Sequence, residues 1–451
     1  MIAHVSVWLA LLVAQAPVPA QEPQPALPAQ LEEPERPEGL SPERLARIQA
    51  ALQEEKLDGW LFYDFRGSDS IATRVLGLAT RGIRTRRWYC YLPARGVPQK
   101  LVHAIEPHSL DGVPGQVATY ASWRVRDREL GRILRGARRV AMQYSPRNEI
   151  PTVAKVDGGT LELVHSLGPD IVSSAELVAR IESVLTPEEL ASQARAAQLV
   201  AGIQEATAQE AARRVREGHP ATERELQQFS VQKMQAAGLV DGGPLVAADA
   251  HAADPHSMAT DGVVGRNSLL LLDFTGRVGN GPHAIQGDLT RVYFLGERTP
   301  DEIARIARVV FAARDAALDL IQKRLEAKRP VTGAEVDEAA RSVIARAGHA
   351  DAFLHRTGHS IGLRAHGDGV NNDDFETHDT RRHLESTCFS IEPGIYLPHR
   401  FGIRSEVDAC ILPGGKLELR GGDPQREVPA LLAPECRHSC NVPSSHAGGI
   451  R

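Results

Sequence analysis

Apolar residues along the chain follow two periods, and the switches between them divide it into two folded regions. Behind Ser41-Pro42-Glu43, Leu45, Ile48, Leu52 and Leu57 recur at helical intervals. This predicts a helix with Ser41 as N-cap and Pro42 in its first turn. Strand-like runs follow at 59–63 (GWLFY), 88–92 (WYCYL), 101–105 (LVHAI) and 140–144 (VAMQY). Residues 41–178 therefore read as a small mixed α/β region. The second region opens with Thr186-Pro187-Glu188-Glu189, a capping box before an Ala-rich helix running to about Glu217. Similar boxes are read at Thr222-x-x-Glu225, Thr299-Pro300-Asp301-Glu302 and Thr332-x-x-Glu335. After the third, Ile303, Ile306, Val310, Ala313, Ala317 and Ile321 form an amphipathic stripe. Between these helices lie strands at 269–274 (LLLLDF), 292–294 (VYF), 388–392 (CFSIE) and 405–409 (SEVDA). Strands separated by pairs of helices predict an α+β domain with an antiparallel core sheet.

Both ends have a different texture. The one long apolar run, 5–14 (VSVWLALLVA), has ten residues, whereas a bilayer span needs about 20. It has the length of a signal-peptide core, and small-residue sites follow at 14–16 and 18–20, although no Lys or Arg precedes it. Residues 1–20 are expected to be a secretory signal, with a secreted or periplasmic location, or a cytoplasmic one if the run is not a signal. Residues 21–40 are Pro- and Glu-rich and read as a linker. The stretch 434–451 reads as a disordered tail. Its Cys436-x3-Cys440 lies near His438 and His446, but zinc sites usually show tighter, duplicated spacing.

The chain has 451 residues, long enough for two or three domains at roughly 150 residues each. Its net charge of −5 gives no general electrostatic reason to bind nucleic acid or anionic membrane. Five cysteines are too few for a disulfide scaffold.

The candidate chemistry lies in the second region. Asp273, Asp288, Glu392 and Glu406 sit in or beside apolar strands, where a carboxylate is costly unless paired or bound to a cation. Between the second and third lies a stretch with three histidines, His355, His359 and His366. Four carboxylates carry −4, which two divalent ions would balance. Oxygen-rich ligation with one imidazole suits Mn, Fe(II), Co or Zn. Such a dinuclear site can generate a bridging hydroxide near neutral pH and polarise a carbonyl, so the implied reaction is hydrolysis. In the first region Asp64, Asp69 and His103 are expected in surface or core polar roles. The glycines Gly276-x-x-Gly279-x-Gly281 lack the spacing of a phosphate-binding loop, and no Gly-x-Ser-x-Gly nucleophile elbow occurs.

The order Asp273, Asp288, His359, Glu392, Glu406 resembles the five-ligand signature of the M24 metallopeptidases with the pita-bread fold. The local words agree: Asp254-Pro255-His256-Ser257, Thr357-Gly358-His359-Ser360-Ile361-Gly362, Ser390-Ile391-Glu392-Pro393-Gly394 and Gly402-Ile403-Arg404-Ser405-Glu406. The resemblance covers about 186–433, taken as the catalytic domain, and 41–178 is similar, more weakly, to the creatinase/prolidase N-terminal domain. It implies that Asp273 chelates one metal, that Asp288 and Glu406 bridge two, and that His359 and Glu392 complete the second. Glu392 would also accept the proton of the attacking water. His366 would act on the tetrahedral intermediate, His256 would contact substrate, and His355 and Arg404 would support it. The two Asp residues are 288 − 273 = 15 apart, longer than the family's commonest spacing, which fits a longer hairpin loop.

This layout points to the Xaa-Pro aminopeptidase and prolidase branch. The expected activity is cleavage of Xaa-Pro bonds at peptide N-termini, aminopeptidase P-like, by two divalent ions, Mn first. Its substrates would be peptides with proline in second position. Prolidase activity is the alternative; a non-catalytic pita-bread binding protein or a metal-free creatinase-like hydrolase would lose ligands that are all present here. A homodimer is left open. If the strands carrying Glu392 and Glu406 run antiparallel with those residues opposed, 392 + 406 = 388 + 410, so Cys388 faces Cys410. That pair is expected to pack as reduced thiols, and to be the first to oxidise in an exported protein.

Overall fold

The computed structural model describes residues 39–78 and 85–434. The expected signal segment, most of the linker and the Cys436/Cys440 tail lie outside them. Gly39 and Leu40, placed in the linker by composition, already belong to the fold. Leu40 is buried, and the backbone N–H groups of Gly39 and Leu40 donate to Gly77 O and Gly112 O.

The first region comprises α1 (Pro42–Glu54), β1 (Gly59–Asp64), α2 (Ser70–Val75), β2 (Trp88–Pro93), β3 (Gln99–His103), β4 (Gln116–Tyr120), α3 (Trp123–Ile133), β5 (Arg139–Met142), α4 (Gly158–Ser166), β6 (Asp170–Ser173) and α5 (Ala175–Glu182). Ser41 caps α1 as its sequence predicts, accepting from Arg44 N at 3.1 Å. The strands form one mixed sheet in the order β4-β3-β2-β1-β5-β6. Every residue of the central strand β1 is buried, because both faces are covered. Trp60 and Phe62 pack with residues of α1, α2 and α5. Leu61 and Tyr63, one step out of phase, pack with residues of α3 and α4. The polar residues expected to be structural are so. Asp64 accepts from Gly67 N and Asp69 N, Asp69 caps α2 through Ala72 N, and His103 meets Tyr120 edge-on.

The second region comprises α6 (Pro187–Arg216), α7 (Glu223–Ala236), β7 (Leu239–Val240), β8 (Pro244–Ala248), β9 (Leu269–Val278), β10 (Gly287–Phe294), α8 (Asp301–Glu326), α9 (Gly333–Arg346), β11 (Ser360–Ile361), β12 (Thr387–Ile391), β13 (Gly394–Leu397), β14 (Phe401–Arg404), β15 (Val407–Leu412) and β16 (Lys416–Arg420). Three of the four expected capping boxes form, at Thr186, Thr222 and Thr332. The fourth does not. Pro300 takes the N-cap position of α8, and the Thr299 hydroxyl turns away to donate to Val428 O at 2.8 Å.

All strand pairs of this region are antiparallel: β10-β9-β7 with β8 also on β9, β11-β12-β15-β16, and β13-β14. Two helix pairs cover the sheets. The stripe of α8 and residues of α9 bury Leu271, Val292, Ile391 and Ala409. Helices α6 and α7 bury Leu270, Leu272, Phe274 and Leu289 on the alternate side of β9 and β10. This is the α+β pita-bread architecture that the sequence resemblance implies, beside a smaller α/β sheet. Between Asp273 and Asp288, β9 runs on to Val278, where β7 pairs with it, and the turn 279–286 follows.

In the β12/β15 ladder Cys388 pairs with Cys410, and the pairs run on to Ile391 and Val407, so the next step sets Glu392 against Glu406. The register is the one expected from the sequence. The expected oxidation state is not: the two cysteines are joined in a disulfide, with Cα atoms 4.1 Å apart. Directly opposed strand residues are held so close that their sulfurs meet without backbone movement. The bridge closes a sequence separation of 22. Replacing both cysteines by serine is expected to cost roughly 2–4 kcal/mol, read from denaturant unfolding without reductant. Non-reducing peptide mapping should recover the two strands as one linked species; separate peptides and an unchanged unfolding midpoint would contradict the bridge.

Candidate metal centre

Five elements deliver the site. Asp273 and Asp288 project from neighbouring strands: in the β9/β10 ladder Asp288 faces Thr275 and Asp273 faces Thr290. Glu392 follows β12, Glu406 lies between β14 and β15, and His359 immediately precedes β11. Because β11 pairs with β12, the backbone carries His359 to Glu392. Ser390 N donates to His359 O at 2.9 Å, and His359 N donates to Ser390 Oγ at 3.0 Å. The same hydroxyl donates to Glu392 Oε1 at 3.0 Å, so one serine fixes both side chains. His359 Nε2 then lies 3.3 Å from Glu392 Oε1 and 3.6 Å from Asp288 Oδ2.

Asp288, His359 and Glu406 are all buried, and one donor atom from each falls within 4.8 Å of the others. Asp273 and Glu392 are half-buried and form the side nearer solvent. The sequence-predicted ligands thus draw together, and Asp273 is ion-paired with Arg404. The buried Arg404 also donates through Nε to Thr290 Oγ1 at 2.9 Å, and Thr290 passes its own proton to Glu406 Oε2 at 2.7 Å. Its Nη1 reaches Tyr396 Oη at 3.4 Å, and Tyr396 stands 2.7 Å from His355 Nε2.

The electrostatics follow from burial without enough counter-charge. Burial, then the charge of Asp273, pushes the Asp288 carboxyl well above its ordinary range; burial, then Asp288, does the same to Glu406. Burial pushes Glu392 up to about 7 against the pull of Arg404. The histidines move the other way, as desolvation disfavours their cations. Burial holds the His359 imidazole well below its usual value, and His355 falls to about 3. Neutral His355 has one partner on each nitrogen: Nδ1 lies 2.7 Å from Arg356 O and Nε2 faces the Tyr396 hydroxyl. The guanidinium of Arg404 alters the charge balance read from sequence, which counted the carboxylates alone: −4 + 1 = −3. Carboxylates this close, with raised proton affinity and neutral imidazole beside them, are the donor set of a hard or borderline divalent cation.

His366 is at the mouth, its ring meeting that of His359 edge-on with centroids 4.2 Å apart. Its cation is disfavoured first by burial and then by the charge of Arg356. His256 is exposed, yet its charge bears on both His355 and His366, which places it over the same opening.

Asp408 was not anticipated from sequence. Fully buried, it accepts from Asp288 N at 3.0 Å and from Gln193 Nε2 of α6 at 2.7 Å, and burial pushes its carboxyl up to about 8. Thr290 was missed as well. Both lie two residues past a candidate ligand, so strand alternation puts them on the ligand face; period two along β10 and β15 was the available signal.

Comparison with known proteins agrees with this geometry. Residues 195–412 match the family described as Metallopeptidase family M24. A probable dipeptidase PepE of Mycobacterium tuberculosis is 36% identical over 184 residues, 40% of this chain and 43% of that protein. The Xaa-Pro dipeptidase of Lactobacillus delbrueckii subsp. lactis is 35% identical over 164 residues, 36% and 40% of the two chains. The chain thus spans less than half the length of these relatives. Among solved structures, dipeptidase PepE from Mycobacterium ulcerans has a TM-score of 0.62 at 24% identity, covering 86% of this chain and 97% of that one. A prolidase from Thermococcus sibiricus has a TM-score of 0.57 at 20% identity, covering 86% and 98%. These two share the fold across most of both chains. The matching segment, 195–412, encloses Asp273, Asp288, His359, Glu392 and Glu406, and this part of the chain is a domain of metallopeptidase family M24.

Proposed function

We propose that this protein is a dinuclear metal-dependent peptidase that hydrolyses the Xaa-Pro bond of dipeptides. The observation that carries this reading is the buried convergence of Asp288, His359 and Glu406, with Asp273 and Glu392 on the open side. Dipeptides are preferred to longer substrates because the sequence relatives are named dipeptidases. The second reading is the aminopeptidase P-like one. It draws on Met258 and Leu354, exposed apolar side chains within two residues of His256 and His355, which would meet residues beyond the proline. The region 41–178 is assigned as the creatinase/prolidase-like domain and 186–433 as the catalytic one. The disulfide supports the exported location expected from the N-terminal run.

In this assignment Asp273, Asp288, His359, Glu392 and Glu406 would together hold the ions, with Asp288, His359 and Glu406 as the buried part of the set. When bound, the ions would supply acidification of a water and polarisation of the substrate carbonyl. The chain supplies the rest. Glu392 takes a proton from the water as its oxygen attacks the carbonyl carbon. His366 donates toward the developing oxyanion. As the C–N bond breaks, the proton on Glu392 passes to the prolyl nitrogen. Arg404 and Thr290 keep the Asp273 and Glu406 carboxylates aimed inward.

Three measurements check this. Metal-loaded protein should cleave Xaa-Pro dipeptides faster than Xaa-Pro-Yaa tripeptides; the reverse order would select the aminopeptidase reading, and no cleavage of either would reject both.

The second measurement uses protons. The folded pKa values of Asp288, Glu392 and Glu406 lie above their unfolded ones. Their protonated forms therefore favour the metal-free fold at acid pH, and this contribution is lost as pH rises through about 7, the value for Glu392. Cations need the carboxylates, so apparent affinity should rise over the same window. Titrating metal-free protein with Mn in weak buffer should bind about two ions per chain and release more protons at pH ~6.5 than at pH ~8.5. Glu406→Gln should lose most of that binding; full binding by this variant would reject the ligand assignment.

The third concerns His366. His366→Ala should keep its metal while kcat falls by about 10²-fold or more. Metal loss with unchanged rate per bound ion would show that His366 is a ligand instead.

A further inference from the structure

The loop that carries His366 is fastened by a residue of the other region. From β11 the chain turns through 362–369. Gly367 N donates to Ser360 O at 2.7 Å, and Arg381 donates to Asp368 O and Gly369 O at 2.8 and 2.6 Å. At Gly369 an added Cβ would lie 2.3 Å from Ser360 Oγ and 2.6 Å from Ser183 Cβ, so the loop is wedged against the end of α5. These contacts fix its backbone. The Asp368 carboxylate, two residues from His366, is fixed separately. Its Oδ2 takes Arg364 Nη2 from its own loop at 2.8 Å and Arg74 Nη2 from α2. Arg74 is itself oriented: its Nε donates to Glu182 Oε2 at 2.9 Å, and Glu182 Oε1 takes Arg44 Nη2 of α1 at 2.7 Å. Arg74 and the Glu182 side chain are buried, where charge-assisted bonds are strong and losing one partner is costly.

We propose that Arg74 is a positioning residue for His366: through Asp368 it ties the orientation of that imidazole to the first region of the chain. The planar guanidinium spans two carboxylates at once, Glu182 on its own side and Asp368 across the boundary, which a lysine ammonium on a flexible stem does not reproduce. The inference rests on the peptidase reading and on the role of His366 within it. A displacement of the order of 1 Å at a group acting on the transition state lowers turnover while leaving ground-state binding largely intact.

The test combines exchange, metal content and kinetics in the full chain. In Arg74→Ala, amide hydrogen exchange across 362–369 should rise and the Mn content stay at the wild-type level. On an Xaa-Pro dipeptide kcat should fall by between about 10- and 10²-fold with KM little changed. Asp368→Asn, which leaves the Arg74–Glu182 pair in place, should show the same pattern and guards against a folding defect. Arg74→Lys should recover only part of the rate. The deciding readout is the double variant: adding Arg74→Ala to His366→Ala should cost little beyond His366→Ala alone. Unchanged exchange and rate in both single variants, an effect on KM alone, or an undiminished loss in the His366→Ala background would each overturn the proposal. If metal-loaded His366→Ala keeps the wild-type rate, the catalytic reading of His366 fails and the inference falls with it. If His366→Ala is slow but Arg74→Ala is not, the inference alone fails.

Discussion

The structure is organised around one costly arrangement: several carboxylates share a space with little water and one guanidinium. Burial first, and then the charge of neighbouring carboxylates, raises the proton affinity of Asp288 and Glu406. The surrounding polar groups answer it. Arg404 neutralises Asp273, Thr290 donates to Glu406, Ser390 donates to Glu392, and the backbone N–H of Asp288 is directed to Asp408. A protein that only needed a stable core would have placed apolar groups here at lower cost. The cluster has the donor atoms that could hold a cation.

Holding that cluster requires strands whose relative positions cannot slip. A shift of one residue along β12 would turn Glu392 out of the site, since strand side chains alternate. The disulfide between Cys388 and Cys410 pins this register four residues from each glutamate. It lies in a small apolar cluster with Leu185, Leu190, Ile285, Ile361 and Leu363, under the ligand face. From Cys410 the contacts lead on to Gln193, Asp408 and the backbone of Asp288. The long helix α6 thus joins the two ligand-bearing sheets by one buried glutamine, and a second one, Gln204, donates to Leu272 O of β9.

The opening of the site is built differently. His256 and His366 come from loops and are exposed. Loops can place chemistry accurately when their anchors are buried ion pairs, and Arg381 with Asp379, and Arg74 with Glu182, are such anchors. The acidic floor is built on strands, and the loops over it are tied down by ion pairs.

The fold class and the buried acidic cluster were legible in the sequence because both leave marks on neighbouring residues. Ser41, Thr186, Thr222 and Thr332 cap their helices within a few positions, and local geometry decided each of them. Acidic residues in apolar strands stand out because burial makes them expensive, and the equal index sums of two residue pairs foretold the β12/β15 ladder. Threonine 299 marks the limit: its local pattern promised a cap, but Val428 O offered its hydroxyl a better partner from 129 residues away. The bond between Cys388 and Cys410, the pairing of Arg404 with Asp273 across 131 residues, and the support of Asp288 by Asp408 across 120 were likewise settled only in three dimensions. The sequence determined which groups are too costly to bury alone, since desolvation is a property of the residue and its immediate strand. Which group answers each of them depends on distance through space, and only the packed tertiary structure sets that distance.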